Sequence, residues 1–277
     1  MSERVFKSIC FTALALPIAL LVVLFGHALV EAMPRLNAGF ILGHASRRAQ
    51  SAGILPPLAG SAALMLLTAI MAIPVGVGAA IYLEEYAKPT RFTSWIEINI
   101  SNLAGVPSII YGLLGLEVFV RALHLGRSLV AGAATLALLL LPMVIMSSRE
   151  ALRTVPRALR EASYALGGER WGTLWHVTLP MCLPGILTGI VLSLTRAVGE
   201  TAPLVVLGAL TFVTYLPDSI MSEFTALPIQ IFSWVSRPQA EFRVNAAAGI
   251  VVLLTFVALL NAIAIAVRSR FERRRIE

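Results

Sequence analysis

Residues 193–205 read SLTRAVGETAPLV. They lie inside a long apolar stretch, Pro184 to Leu210, yet place Arg196 and Glu200 four residues apart within it. If the stretch crosses a bilayer, a charge near its centre costs ~2.5–3.5 kcal/mol on insertion scales, so such groups face protein or water rather than lipid. Whether it does cross is decided by the rest of the chain.

The 277 residues are 58% hydrophobic and only 13% charged, with a mean hydropathy of +0.84. A soluble domain runs near roughly 45–50% apolar and 25% charged. The apolar residues come in runs compatible with the ~20 that a membrane helix needs. Six spans are predicted: Ile9–Val30, Leu58–Leu83, Ile96–Val120, Ser128–Ser147, Pro184–Leu210 and Val244–Val267. The expected class is an all-α polytopic membrane protein. Arg4 and Lys7 precede the first run as in a signal peptide, but the run exceeds the ~7–15 residues of a signal core and no small-x-small cleavage site follows, so a retained helix is expected. The organisation is a first helix and loop over 1–57, a core of five spans over 58–267, and a basic tail over 268–277.

The formal charge of +7 is distributed for topology rather than for nucleic acid. The N-terminus, the 88–91 and 149–170 segments and the C-terminus carry 14 of the 22 Lys and Arg residues; the alternate loops carry 7, and Arg196 is the remaining one. The positive-inside rule then predicts cytoplasmic termini and a cytoplasmic 148–183 loop. Cys10 and Cys182 lie far apart and the four histidines are scattered, which suggests no disulfide framework and no metal site. No G-x-x-x-x-G-K-[ST], H-E-x-x-H or nucleophile elbow is present, and the glycines of PVGVGAAIY fall inside a span, where they suit helix packing.

In the 148–183 loop, Pro156 suits a first helical turn and Gly167-Gly168 a helix stop. Val155, Ala158, Leu159, Ala162, Ala165 and Leu166 share one face of that short helix, with Arg157, Arg160 and Glu161 elsewhere. Such a helix either lies on lipid headgroups or docks on a partner. The segment EASYALGGERWGTLWHVTLP resembles the EAA loop of ABC-importer permeases, with Glu161, Ala162, Ser163, Gly167, Leu179 and Pro180 at the spacing of that motif; Ser163 replaces its second alanine and Val177 its isoleucine. The resemblance implies a coupling helix that docks in a groove of a separate cytoplasmic ATPase.

On a helix wheel, Gly185, Gly189, Ser193, Gly199, Glu200 and Pro203 share the side of Arg196, with Leu192 as the one large apolar member; Leu187, Val191, Leu194, Val198 and Val205 lie opposite. The small, polar side suits close packing or water, and Arg196 and Glu200 are placed to pair. Pro203 cannot donate to the carbonyl of Gly199, so the backbone is expected to loosen there. Either the pair is an interhelical lock, or it lines a path for an anion. The segment LTRAVGETAPLV resembles the fifth helix of phosphate-specific ABC permeases of the A type, and two further stretches, ISNLAGVPSIIYGLLGLEVFV and FTALPIQIFSWVSRPQAEF, share that likeness, which covers roughly Leu58 to Val267. Molybdate and sulfate permeases have a related segment but usually follow the Gly-Glu with Phe-Gly, where this chain has Thr-Ala.

The resemblance implies one permease of a phosphate importer in the bacterial inner membrane. Its partners would be a homologous second permease, two copies of a cytoplasmic ATPase that binds ATP and Mg, and an extracytoplasmic phosphate-binding protein, with no cofactor in this chain. Candidate path residues are Arg196, Glu200, Ser193 and Gly199; Thr201 falls about 140° around an ideal helix from Arg196. A planar guanidinium engages two phosphate oxygens at once. The segment Phe224–Phe242, with Trp234, is expected to form either interfacial helices at the mouth of the path or a membrane-surface belt. An ion-driven secondary transporter would need a second charged, Gly/Pro-broken segment matching the fifth span, and none is evident; a membrane enzyme would need a catalytic constellation.

Overall fold

A computed structural model describes residues 3–210 and 212–273. The described residues are helical, with no strand beyond an isolated bridge between Ser128 and Glu223. In order they are α1 (Glu3–Ala32), α2 (Ala38–Ile41), α3 (Leu55–Ile81), α4 (Arg91–Ala104), α5 (Ser108–Gly115), α6 (Leu129–Arg153), α7 (Arg157–Ala165), α8 (Arg170–Thr173), α9 (Leu179–Val198), α10 (Ala202–Leu207), α11 (Leu227–Val235) and α12 (Glu241–Arg273). Wider π-helical turns extend α3 over Tyr82–Tyr86, extend α5 over Leu116–Ala122, and join α8 to α9 over Leu174–Thr178.

Five of these elements are long and apolar enough to cross a membrane: Glu3–Ala32, Leu55–Tyr86, Leu129–Arg153, Arg170–Val198 and Glu241–Arg270. The predicted third span, Ile96–Val120, is not one straight helix. It breaks between Ala104 and Ser108, and the two halves are bent by 103°. Pro107 is the reason: it has no N–H to donate and disfavours the helical conformation at Val106. The Tyr111 hydroxyl donates to the carbonyl of Leu103 (2.8 Å), which ties the corner together. The fifth span also departs from prediction. Its helix stops at Val198 instead of running to Leu210, and Pro203 enters a separate short helix in its first turn. The Gly199 and Glu200 amides turn back to the carbonyls of Arg196 and Ala197.

The centre of the molecule is the bundle of α3, α6 and α9. α6 is the most enclosed of the long apolar helices, and Leu136, Leu140, Val144 and Leu152 are almost wholly buried along it. On α9, Gly185 and Gly189 let the backbone approach α6 closely: an added Cβ would lie 2.9 Å from the Cβ of Ala151 and 2.3 Å from the Oγ of Ser147. The small-residue side of the predicted wheel is therefore a helix-packing seam over those turns. A second core joins α11 to α12, α2 and the start of α3 through Phe40, Ile54, Leu227 and Trp234. One face of α11 is thus packed within the chain, while Phe232 and Val235 stay exposed; Leu227 donates its amide to the Oγ of buried Ser61 (2.8 Å). Arg35 fastens the loop after α1, donating to Asn245 Oδ1 and to the carbonyls of Ala49 and Ala52. Only Ala32 of α1 is buried, so the rest of that helix presents an apolar flank outward.

The helical structure shortens the loop expected over 148–183. α6 continues to Arg153 and helix resumes at Arg170, leaving 154–169 to carry α7. Of the basic tail, residues 274–277 lie outside the described residues.

Candidate functional site

The short helices that follow the two breaks meet. At Gly112 of α5 an added Cβ would lie 2.7 Å from Cα and 2.8 Å from the carbonyl oxygen of Pro203, so α5 and α10 touch backbone to backbone. A non-helical backbone at membrane depth is tolerated where protein or water can satisfy it. Gly105–Pro107 is a second Gly/Pro break, but residues 101–115 around it carry no charged residue to match the Arg196–Glu200 pair.

Arg196 stands beside this junction, in the last turn of α9. Its Nε lies 3.4 Å from Glu200 Oε1, and its Nη1 lies 3.2 Å from the sulfur of Met143 on α6. Met143 fixes the depth. At about 1.5 Å per residue it is about 21 Å from Leu129 and about 6 Å from Ser147, inside the apolar run of α6 and nearer its α7 end. The Glu200 side chain is 16% exposed while that of Arg196 is 49% exposed. The pair is formed, but its cation opens onto a side that this chain leaves uncovered. Such a group can pair with its carboxylate and offer its remaining donors to an anion.

The other predicted path residues divide. Gly199 caps α9 and is exposed; Thr201 is part-buried and directs its hydroxyl to the Gly199 carbonyl (3.4 Å), so both stand at the break with the pair. The 140° expected of Thr201 assumed a helix that has ended by then. Ser193 is 1% exposed and donates to the Gly189 carbonyl (2.8 Å), within the seam on α6 rather than at an open surface.

The EAA-like segment forms a distinct feature. α7 contains no buried residue, and Leu166 at its end is 90% exposed. Glu161 and Ala162 face outward, while Ser163 hydrogen-bonds with Thr173 (2.8 Å) and so ties α7 to α8. Gly167 has φ +85°, the left-handed region, and the amides of Gly167 and Gly168 close the helix end on Tyr164 and Ser163. Leu179 and Pro180 open α9 directly after the Leu174–Thr178 π turn, where the wider turn accommodates the missing amide of proline.

Between α7 and the bundle lies a charge network that the sequence reading missed. Arg149 on α6 reaches Glu97 on α4 (2.7 Å) and Glu84 at the end of α3 (3.5 Å). Arg153 joins Glu84 (3.1 Å), and Arg160 on α7 pairs with Glu85 (2.9 Å). A signal existed: Glu84 and Glu85 end one predicted span on the same side as the arginines that end another.

An all-helical bundle of membrane-length helices with paired breaks, a cation inside an apolar run and an exposed helix at one end is the architecture of a membrane permease. A family model for the binding-protein-dependent transport system inner membrane component matches residues 72–277, and the chain belongs to that family. The probable ABC transporter permease protein YqgI of Bacillus subtilis (strain 168) is 32% identical over 258 residues, covering 88% of each chain. The phosphate transport system permease protein PstA 1 of Mycobacterium tuberculosis (strain CDC 1551 / Oshkosh) is 36% identical over 225 residues, covering 80% of this chain and 73% of that protein. The fold is shared with the inward-facing MetNI methionine ABC transporter (TM-score 0.60, 22% identity, 79% of this chain and 94% of that one). It is shared as well with a bacterial ABC transporter involved in import of the acidic polysaccharide alginate (TM-score 0.59, 15% identity, 95% and 99%). The all-α permease fold expected from the sequence is the one observed, that of the type I ABC importers.

Proposed function

We propose that this chain is a permease subunit of an ATP-driven inorganic phosphate importer. It forms half of the translocation path and takes its power from a separate ATPase docked on α7. The observation that carries the anion is Arg196: a half-exposed guanidinium within an apolar span, at the helix break after Val198 and held by Glu200. An isolated buried arginine would be too costly, whereas one balanced by a carboxylate can persist between passages and yield to phosphate. The phosphate transport permease relatives support phosphate as the anion.

The partners follow from the family and the exposed surfaces. A homologous second permease faces the open side of Arg196, an extracytoplasmic phosphate-binding protein delivers substrate, and two ATPase copies bind ATP and Mg. Both termini and α7 lie in the cytoplasm, supported by the distribution of Lys and Arg. The exposed apolar residues of α7, Leu159 and Leu166, favour its seating in a groove.

The test is phosphate uptake, normalised to assembled complex, in Arg196→Gln, Glu200→Gln and the double variant. A path role predicts near-complete loss with Arg196→Gln, reduced turnover with Glu200→Gln, and no recovery in the double. If the double variant restores uptake, the pair is a structural lock and this reading fails. Competition by sulfate and molybdate in the wild type reads the anion class directly.

A further inference from the structure

We infer that the charge network at the α7 end of the bundle carries the displacement of α7 into the membrane helices, with Arg160 and Arg149 as its positioning residues; this rests on the docking of an ATPase at α7 proposed above. Arg160 is the one α7 side chain with ion-pair and carbonyl contacts to both long helices among the described interactions. It pairs with Glu85 at the end of α3 (2.9 Å) and donates to the Leu152 carbonyl in the last turn of α6 (2.9 Å). The pair is well shielded, with side chains 16% and 11% exposed. A shielded pair holds its geometry better than a surface pair, because water screens it less.

Glu85 lies in the Tyr82–Tyr86 π turn. Such wide turns often mark functional sites. A pull on Glu85 therefore acts where α3 is no longer a regular α-helix. The neighbouring Glu84 meets Arg149, which also holds Glu97 (2.7 Å) on α4. α4 ends at the Gly105–Pro107 corner, and past that corner Gly112 rests on Pro203, next to the Arg196 break. These contacts, joined by α4 and its corner, link the exposed helix to the break beside Arg196. Coupling through these contacts is read in the ratio of transport to hydrolysis.

The whole complex, with its ATPase and binding protein, is reconstituted in liposomes, and uptake of labelled inorganic phosphate and ATP hydrolysis are measured in the same vesicles. Glu85→Gln and Arg160→Gln are expected to retain the ATPase while phosphate moved per ATP falls by about tenfold or more. The swap Glu85→Arg/Arg160→Glu restores the pair and is expected to recover most of that ratio. A purely structural role would lower the amount of complex and leave the ratio of each assembled complex unchanged, which would overturn the inference. If the single variants do not assemble, the swap decides: recovery of assembly and ratio supports the inference, and failure of either overturns it. A wild-type complex that holds no ATPase defeats the docking reading, and this inference with it.

Discussion

Gly189→Ala tests whether the α6–α9 seam positions Arg196. The added Cβ would lie 2.3 Å from Ser147 Oγ and 2.4 Å from Ser147 Cβ. Ordinary carbon contacts are near 3.5–4.0 Å. Rotation of the serine moves its hydroxyl but not its Cβ, so the helices must part by about 1 Å locally. Overpacking of this kind costs about 1–3 kcal/mol, a lowering of a few degrees in the melting temperature for a chain of this size. Arg196, two turns further along α9, would move off Met143, so uptake per assembled complex should fall with stability. The structure also specifies the rescue. In the double variant Gly189→Ala/Ser147→Gly the close atoms are gone, and the nearest remaining one, the Cα of residue 147, stands at 3.6 Å. The control is Gly78→Ala, where nothing lies within 4 Å of the added carbon; it should be neutral or slightly stabilising. Thermal unfolding of the purified complex and phosphate uptake are the two readouts. An unchanged Gly189→Ala, or a double variant no better than the single, would refute the packing argument.

At Gly167, φ is +85° and an added carbon meets nothing within 4 Å, so Gly167→Val acts through the backbone alone. It should strain the end of α7 by about 1–2 kcal/mol and reduce ATPase co-purification without reducing membrane insertion; full co-purification and full uptake would contradict the docking role. For topology, a cysteine at Ala165 should react with an impermeant thiol reagent only from the cytoplasmic side, and labelling in intact cells would reverse the orientation. Trp234→Ala empties a site that is 1% exposed against Phe40, so it should cost about 3–5 kcal/mol and deplete assembled complex, as quantified by size-exclusion chromatography; normal yields would show that α11 is not part of the core.

Long-range composition alone determines the class of this protein. Five helices of membrane length follow from apolar runs alone, because a bilayer demands an unbroken apolar stretch. The EAA-like spacing marked α7 and Gly167, since a helix stop and an outward face are local properties of a few residues. The Arg196–Glu200 pair was legible for the same reason, being an i,i+4 contact. Tertiary structure decided the rest. Whether Pro107 and Pro203 merely bend a span or split it depends on what packs against the break, and Gly112 against Pro203 is a contact between segments some ninety positions apart. Ser193 looked equivalent to Arg196 on a wheel, yet it is buried because Gly189, one turn below, draws α9 onto Ser147. The network of Glu84, Glu85 and Glu97 with Arg149, Arg153 and Arg160 draws on four separate elements, and charges so distant in sequence become neighbours only when the ends of α3 and α6 meet the side of α4 and the start of α7.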